Sequence, residues 1–210
     1  IFVMLKQIVL GMAIATAAST SFAAETNDCF SGLYAGSGVK YANSLDKFKT
    51  NANTQITTLW AENPGFAGNL FLGYGRVLNS QVYLGGEAYG DLGYKKQNIG
   101  TPNSDLKVKT KYQLGLMAKL GYVVTPQTLL YVGLGAENAK FNFTAKKSDE
   151  NYNTWAFAPN VGMDLALNSN LQIGARYTYS NYRSIDLGGA SYKPVRNTLG
   201  LNLTYRFASL

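Results

Sequence analysis

The chain has no histidine and only one cysteine. Without imidazole a Ser-His-Asp or Cys-His site is excluded. Transition-metal binding, which relies on imidazole and thiolate, is disfavoured. A single cysteine, Cys29, allows no intramolecular disulfide. Proline is scarce at 5 residues, and charged residues make up only 15% of the chain. Ala, Glu and Lys do not dominate, so the composition is not helix-rich, and it is not that of a disordered chain. Beyond the N-terminus, no stretch approaches 18 consecutive apolar residues, which excludes a helical membrane protein. Phosphate-cradling glycine loops and EF-hand loops are missing too. No cofactor is expected.

What is present is glycine (22), tyrosine (15) and phenylalanine (10), a composition of strands and turns. The clearest segment is the last, Pro194 to Phe207. Val195, Asn197, Leu199, Leu201, Leu203, Tyr205 and Phe207 fall on one face of a strand. Arg196, Thr198, Gly200, Asn202, Thr204 and Arg206 fall on the other. The period holds for 13 residues, against about 5–6 for a usual strand and about 9–11 for one tilted across a bilayer.

The N-terminus reads as a secretory signal over residues 1–23, with Met4 taken as its start. Lys6 is the positive region, Ile8 to Ala18 the apolar core and Ser21-Phe22-Ala23 the small-x-small cleavage site. Residues 24–31 are then a short periplasmic segment. Thr26-Asn27-Asp28 is too polar for a lipobox, so Cys29 is not expected to be a lipid anchor. Removing Lys6 leaves 18 basic and 12 acidic residues, a net charge of 18 − 12 = +6. For an exported chain this points to anionic lipid headgroups or lipopolysaccharide phosphates, not nucleic acid.

Eight alternating segments follow, at about residues 33–42, 65–77, 81–94, 110–124, 128–144, 154–167, 171–182 and 194–207. Asn79-Ser80, Thr125-Pro126-Gln127 and Asn168-Ser169-Asn170 are tight turns. Residues 43–63, 95–109, 145–153 and 183–193 are longer loops. Pro159 inside the sixth strand predicts a bulge or a rim position. Short and long connections alternate, as they do between the periplasmic and external ends of an outer-membrane barrel. The fold class is therefore all-β: an eight-stranded antiparallel up-and-down transmembrane β-barrel over residues 32–207, with a short extension at 208–210. A soluble eight-stranded barrel of lipocalin type would put the oily residues inside; it also usually carries a Gly-x-Trp near its first strand, absent here. Aromatics gather near the loop ends (Tyr41, Phe66, Tyr112, Phe143, Trp155, Phe157, Tyr179, Tyr182) and the turn ends (Tyr74, Tyr122, Tyr205, Phe207), as interfacial belts should.

The inward faces carry the charges: Glu87, Asp91, Glu137 and Asp164 with Lys40, Lys119, Arg176, Arg196 and Arg206; Lys111 also falls in the inward set. Paired carboxylates can do acid-base work. A barrel of this size, however, is only wide enough for side chains to fill it, and buried charges must be paired. The expectation is an ion-pair plug, with a narrow or gated pore as the alternative. Lys95, Lys96, Lys107 and Lys109 in the second loop oppose Asp105 alone. They suit lipopolysaccharide phosphates, at about 1 kcal/mol per residue, or simply a solvated basic loop. The first loop, with Trp60, is the candidate contact for a host surface molecule.

The segments LYAGSGVKY, GNLFLGYGRVLNSQVYLGGEAYG, LGYVVTPQTLLYVGLGAE, FAPNVGMDLALNSNLQIGARYTYSNY and LGLNLTYRF, in this order, resemble the small eight-stranded outer-membrane proteins: the OmpA transmembrane-domain, OmpX/Ail and opacity-type surface antigen group. The resemblance spans Gly32 to Phe207. It implies a monomeric Gram-negative outer-membrane surface protein without enzymatic activity, structural and adhesin or antigen through its loops. It also implies recognition of Leu203, Tyr205 and Phe207 by the barrel-assembly machinery, although Ala208-Ser209-Leu210 follow where family members end on the aromatic. With no second domain expected after the barrel, the resemblance does not imply the peptidoglycan-binding role of full-length OmpA-like proteins. Lipid A deacylases and palmitoyltransferases of similar size depend on a histidine, which this chain lacks.

Overall fold

Alternation over eight segments leaves each strand with one apolar face, and closing the sheet on itself satisfies every edge. A computed structural model of the chain describes residues 29–207, apart from residues 53–54, 80, 94–96, 99–106, 146–147 and 187–189. For residues 45–63, 94–109, 143–150 and 186–190 only the course of the backbone is described, where it is described at all. The wall is built from β1 (Gly32–Ala52), β2 (Gln55–Leu78), β3 (Val82–Leu92), β4 (Lys107–Thr125), β5 (Thr128–Ala145), β6 (Ser148–Ala166), β7 (Leu171–Tyr182) and β8 (Val195–Arg206). Each pairs antiparallel with the next. β8 pairs back onto β1 from Tyr34↔Arg206 to Ser44↔Arg196, closing the barrel. The all-β, eight-stranded, up-and-down architecture is the one the alternation predicts.

The faces are those of a membrane barrel. Phe66 is 70% exposed and Leu134 61%, whereas Glu87 is 3% exposed. Oil outside and charge inside is the inverse of a soluble barrel. Tyr41 with Phe66, Trp155, Phe157 and Tyr179 stand outward at the loop end; Tyr74, Tyr122, Tyr205 and Phe207 do so at the turn end. The turns close as their chemistry demands. Asn79 takes a positive φ of 49°, which asparagine tolerates better than most residues. Asn168 Oδ1 accepts from the backbone N–H groups of Asn170 and Leu171 at 2.9 and 2.8 Å, an Asx-turn.

Several details differ from the sequence expectations. The segments read as loops at 43–63 and 145–153 largely continue as strands: β1 and β2 stay paired to Ala52↔Gln55, and β5 and β6 to Ala145↔Ser148. The fourth loop likewise contributes Ala190–Lys193, which pairs with β1. Above the bilayer no lipid selects for alternation, so these strands carry no periodic signal. Second, the β4–β5 register shifts between Thr110 and Tyr112. Such a bulge re-aims a side chain, so Thr110 is buried and Lys111 exposed, not inward. Third, Tyr182 is buried inside the barrel and is not part of the belt. Its even number puts it on the same face as Ser180. Fourth, Pro159 causes no register shift. β6 stays in register with both neighbours, and its pairing with β7 merely skips Ala158 and Pro159. Phe143 of the predicted belt lies among the residues whose side chains are not described.

Lipid contact sets a depth-dependent penalty for charge. Leu134→Arg, near mid-height of the wall, should cost about 2–4 kcal/mol, and Leu78→Arg at the turn end about 0–1 kcal/mol. Urea titration of the barrel folded into lipid vesicles measures both. Equal costs would contradict the outward placement of Leu134.

Candidate functional site

The site is the barrel interior, and Glu87 on β3 is its centre. Glu87 Oε1 accepts from Arg176 Nη1 at 2.8 Å. Its Oε2 accepts from Arg176 Nη2 at 3.1 Å, Lys119 Nζ at 2.5 Å and Tyr34 Oη at 3.1 Å. Arg176 Nε donates to Tyr131 Oη at 3.0 Å. The Lys119 ammonium also lies over the rings of Tyr34 and Tyr131, 5.1 and 4.8 Å from their centroids. Two cations from β4 and β7 therefore converge on one carboxylate, walled by aromatic faces that stabilise positive charge.

A second group lies towards the loop end. Lys40 Nζ bonds both Asp91 oxygens, at 2.8 and 2.9 Å, and Asn69 Nδ2 donates to Asp91 Oδ1. Glu137 is held by hydroxyls: Tyr89 Oη donates at 2.7 Å and Tyr182 Oη at 3.2 Å. Arg196 donates to Gln113, Thr110 and Ser44.

The predicted interior residues thus divide. Lys119, Arg176 and Glu87 come together, and so do Lys40 and Asp91. Glu137, Asp164 and Arg206 make no ion pair among the described residues. Asp164 is half-buried on β6. Arg206 donates to the Gly32 carbonyl at 3.1 Å and stacks 4.8 Å from the Tyr34 ring centroid. Leu203, Tyr205 and Phe207 all stand outward. Lys95 and Lys96 lie outside the described residues, as do the side chains of Lys107, Lys109 and Trp60.

Sequence reasoning put tyrosines and glycines inside but missed their pairing. Tyr34 faces Gly73, Phe71 faces Gly36, Tyr89 faces Gly115 and Tyr131 faces Gly162, each directly across a strand pair. A Cβ on any of these glycines would lie 2.2–2.4 Å from the opposing ring. Glycine here makes room for a ring laid flat against the wall. The readable signal is an inward aromatic opposite an inward glycine once neighbouring strands are aligned.

A closed barrel with an oily exterior and a charged interior has the surfaces of an outer-membrane protein. The family described as outer membrane protein beta-barrel domain matches residues 9–207. This chain belongs to that family. It is a transmembrane barrel of the Gram-negative outer membrane, as the resemblance to the small surface-protein barrels implies. A relative, the 22 kDa outer membrane protein of Rhizobium leguminosarum bv. viciae, is 25% identical over 147 residues, 68% of this chain and 67% of the relative. Among solved structures, Neisserial surface protein A matches with a TM-score of 0.51 at 17% identity, over 84% of this chain and 98% of that one. OprG of Pseudomonas aeruginosa matches with a TM-score of 0.52 at 15% identity, over 85% and 97%. At these identities the two structures show a shared barrel fold.

Proposed function

We propose that this outer-membrane barrel is a structural surface protein rather than an enzyme, with a sealed interior and projecting hairpins that serve as adhesin or antigen. The observation that carries the reading is the Glu87 cluster: both carboxylate oxygens are taken by Arg176, and Oε2 also by Lys119 and Tyr34. Such a cluster fills the lumen of a barrel this narrow. The last β2–β3 pair is Gly68↔Leu92, yet β1 and β2 stay paired out to Ala52↔Gln55. That hairpin rises above β3 by roughly 40 Å of strand, enough to carry it beyond the headgroups. Lipopolysaccharide phosphates are the proposed contact of Lys95, Lys96, Lys107 and Lys109, and a host surface molecule that of the hairpin. Leu203, Tyr205 and Phe207 are the proposed mark for the assembly machinery.

Planar bilayers and adhesion test the reading together. The purified chain should give no steady single-channel conductance. Bacteria expressing it should bind a cultured epithelial monolayer several-fold better than bacteria whose β1–β2 hairpin is cut back to residues 44 and 63. Steady conductance would favour a small channel. Unchanged adhesion would remove the adhesin role, and altered lipid A mass spectra on deletion of the chain would reopen the enzyme reading.

A further inference from the structure

Cys29 and Phe30 precede β1, where the sequence suggests a short periplasmic tail. Both are buried: Cys29 is 4% exposed and Phe30 1%. They form one apolar cluster with Tyr83, Leu129, Tyr131 and Ala166, inward residues from the turn-end halves of β3, β5 and β6. The chain therefore folds back into the barrel before β1 begins. Gly32 permits this. Its φ is +108°, a conformation open to glycine and rarely to other residues.

Three bonds from three different strands fix the reversed segment. Gln172 Nε2 on β7 donates to the Cys29 carbonyl, the Val77 amide on β2 donates to Ser31 Oγ, and Arg206 Nη1 on β8 donates to the Gly32 carbonyl. Anchors from β2, β7 and β8, with packing on β3, β5 and β6, surround most of the mouth. Tyr131 links the two levels. Its ring belongs to the Phe30 cluster, while its hydroxyl accepts from Arg176 of the Glu87 cluster.

We propose that Phe30 is a stopper for the periplasmic mouth of the barrel, a second barrier in series with the Glu87 cluster. The two closures differ in kind. The ion cluster is carried by side chains of the wall strands themselves. The stopper is a short segment ahead of β1, held by packing and by hydrogen bonds that include these three. It can withdraw while all eight strands stay paired, the kind of local opening that costs far less than global unfolding. The turn end is thus the end that opens first, and the Cys29 thiol travels with the stopper.

Cys29 is the only cysteine in the sequence, so maleimide labelling reports on this segment alone. The exported chain is purified, folded into phosphatidylcholine vesicles and treated with N-ethylmaleimide. An exposed reference at the same end is Ser169→Cys in a Cys29→Ser background. Native Cys29 should label about a hundredfold more slowly than the reference, and Phe30→Ala should raise its rate about tenfold. The shift on boiling, which reads the intact barrel, should be unchanged. Gln172→Ala removes one anchor and leaves the ring in place; it should raise the rate by a smaller factor, and it serves alone should Phe30→Ala fail to fold. Labelling of native Cys29 as fast as the reference, or no acceleration in whichever variants fold, would overturn the proposal.

Discussion

Glu87→Ala should destabilise the barrel by about 3–5 kcal/mol, the cost of leaving buried charges without a partner. Glu87 is the only carboxylate that Arg176 and Lys119 pair with among the described residues. Its removal leaves two cations and the Tyr34 hydroxyl pointing at the same space. Arg176→Glu should be worse still, because it sets a second carboxylate against Glu87. Glu137 is the control. Its partners, Tyr89 on Oε1 and Tyr182 on Oε2, are neutral hydroxyls; a glutamine amide oxygen can accept from the first while its NH2 donates to the oxygen of the second, whose proton goes to Gln113 Oε1. Glu137→Gln should therefore cost only about 0.5–1.5 kcal/mol. A triple variant, Glu87→Gln with Lys119→Met and Arg176→Met, should recover most of the loss, since apolar replacements of whole buried ion groups are often neutral. The measurement is the folded fraction on an unboiled gel across a urea series in lipid vesicles. A loss in Glu87→Ala no larger than that in Glu137→Gln would mean that the charge cluster does not hold the interior together.

The wall was legible because lipid writes a period into the sequence. β8 alternates from Leu199 to Phe207 without a break, and the structure puts each of Leu199, Leu201, Leu203, Tyr205 and Phe207 outward, whereas Val195 and Asn197, read onto the same face, are buried. Where lipid stops, so does the signal. Thr50↔Thr57 and Asn51↔Ile56 pair as well as any residues in the wall, but backbone hydrogen bonding alone leaves no mark in a polar sequence. A single extra residue is equally invisible. The bulge at Lys111 puts Thr110 inside and Lys111 outside, and nothing in Thr110-Lys111-Tyr112 announces it. Tyr182 was readable, since it continues the inward series of Arg176, Thr178 and Ser180; position near a loop was the poorer guide.

The interior was legible as a membership but not as a set of contacts. Alternation says that Lys40, Glu87 and Arg176 point inward. It does not say which of them meet, because partners reach across the lumen between strands that are not neighbours. Glu87 on β3 meets Arg176 on β7, and Lys40 on β1 meets Asp91 on β3. Those meetings depend on strand stagger around the closed barrel, a global quantity that no local stretch contains. The Phe30 stopper escaped for a related reason. One aromatic two residues ahead of a glycine carries no period, and the turn at Gly32 sends it inward.

Gly115→Val should destabilise the barrel by about 2–5 kcal/mol through overpacking and an unmade hydrogen bond. Gly115 lies directly opposite Tyr89. A Cβ there would sit 2.3 Å from Tyr89 Cζ and 2.5 Å from its Oη, and its three nearest neighbours are all atoms of that one ring. The ring cannot yield cheaply. Its hydroxyl donates to Glu137 at 2.7 Å, and the Lys40 ammonium sits 4.7 Å above its centroid. Moving Tyr89 therefore strips a donor from Glu137 and uncovers the Lys40–Asp91 pair. Because the clash involves the Tyr89 side chain and no backbone atom, a double-mutant cycle can isolate it. Tyr89→Ala alone should cost about 3–5 kcal/mol for the lost aromatic. Combined with Gly115→Val, the total should fall short of additivity by about 1–3 kcal/mol, because valine then fills part of the hole. Gly68→Ala is the control. Its Cβ would meet nothing closer than 4.0 Å, so its effect should stay within about 0.5 kcal/mol. Additive losses in the cycle would show that Gly115 is required for some property of the strand other than the ring it accommodates.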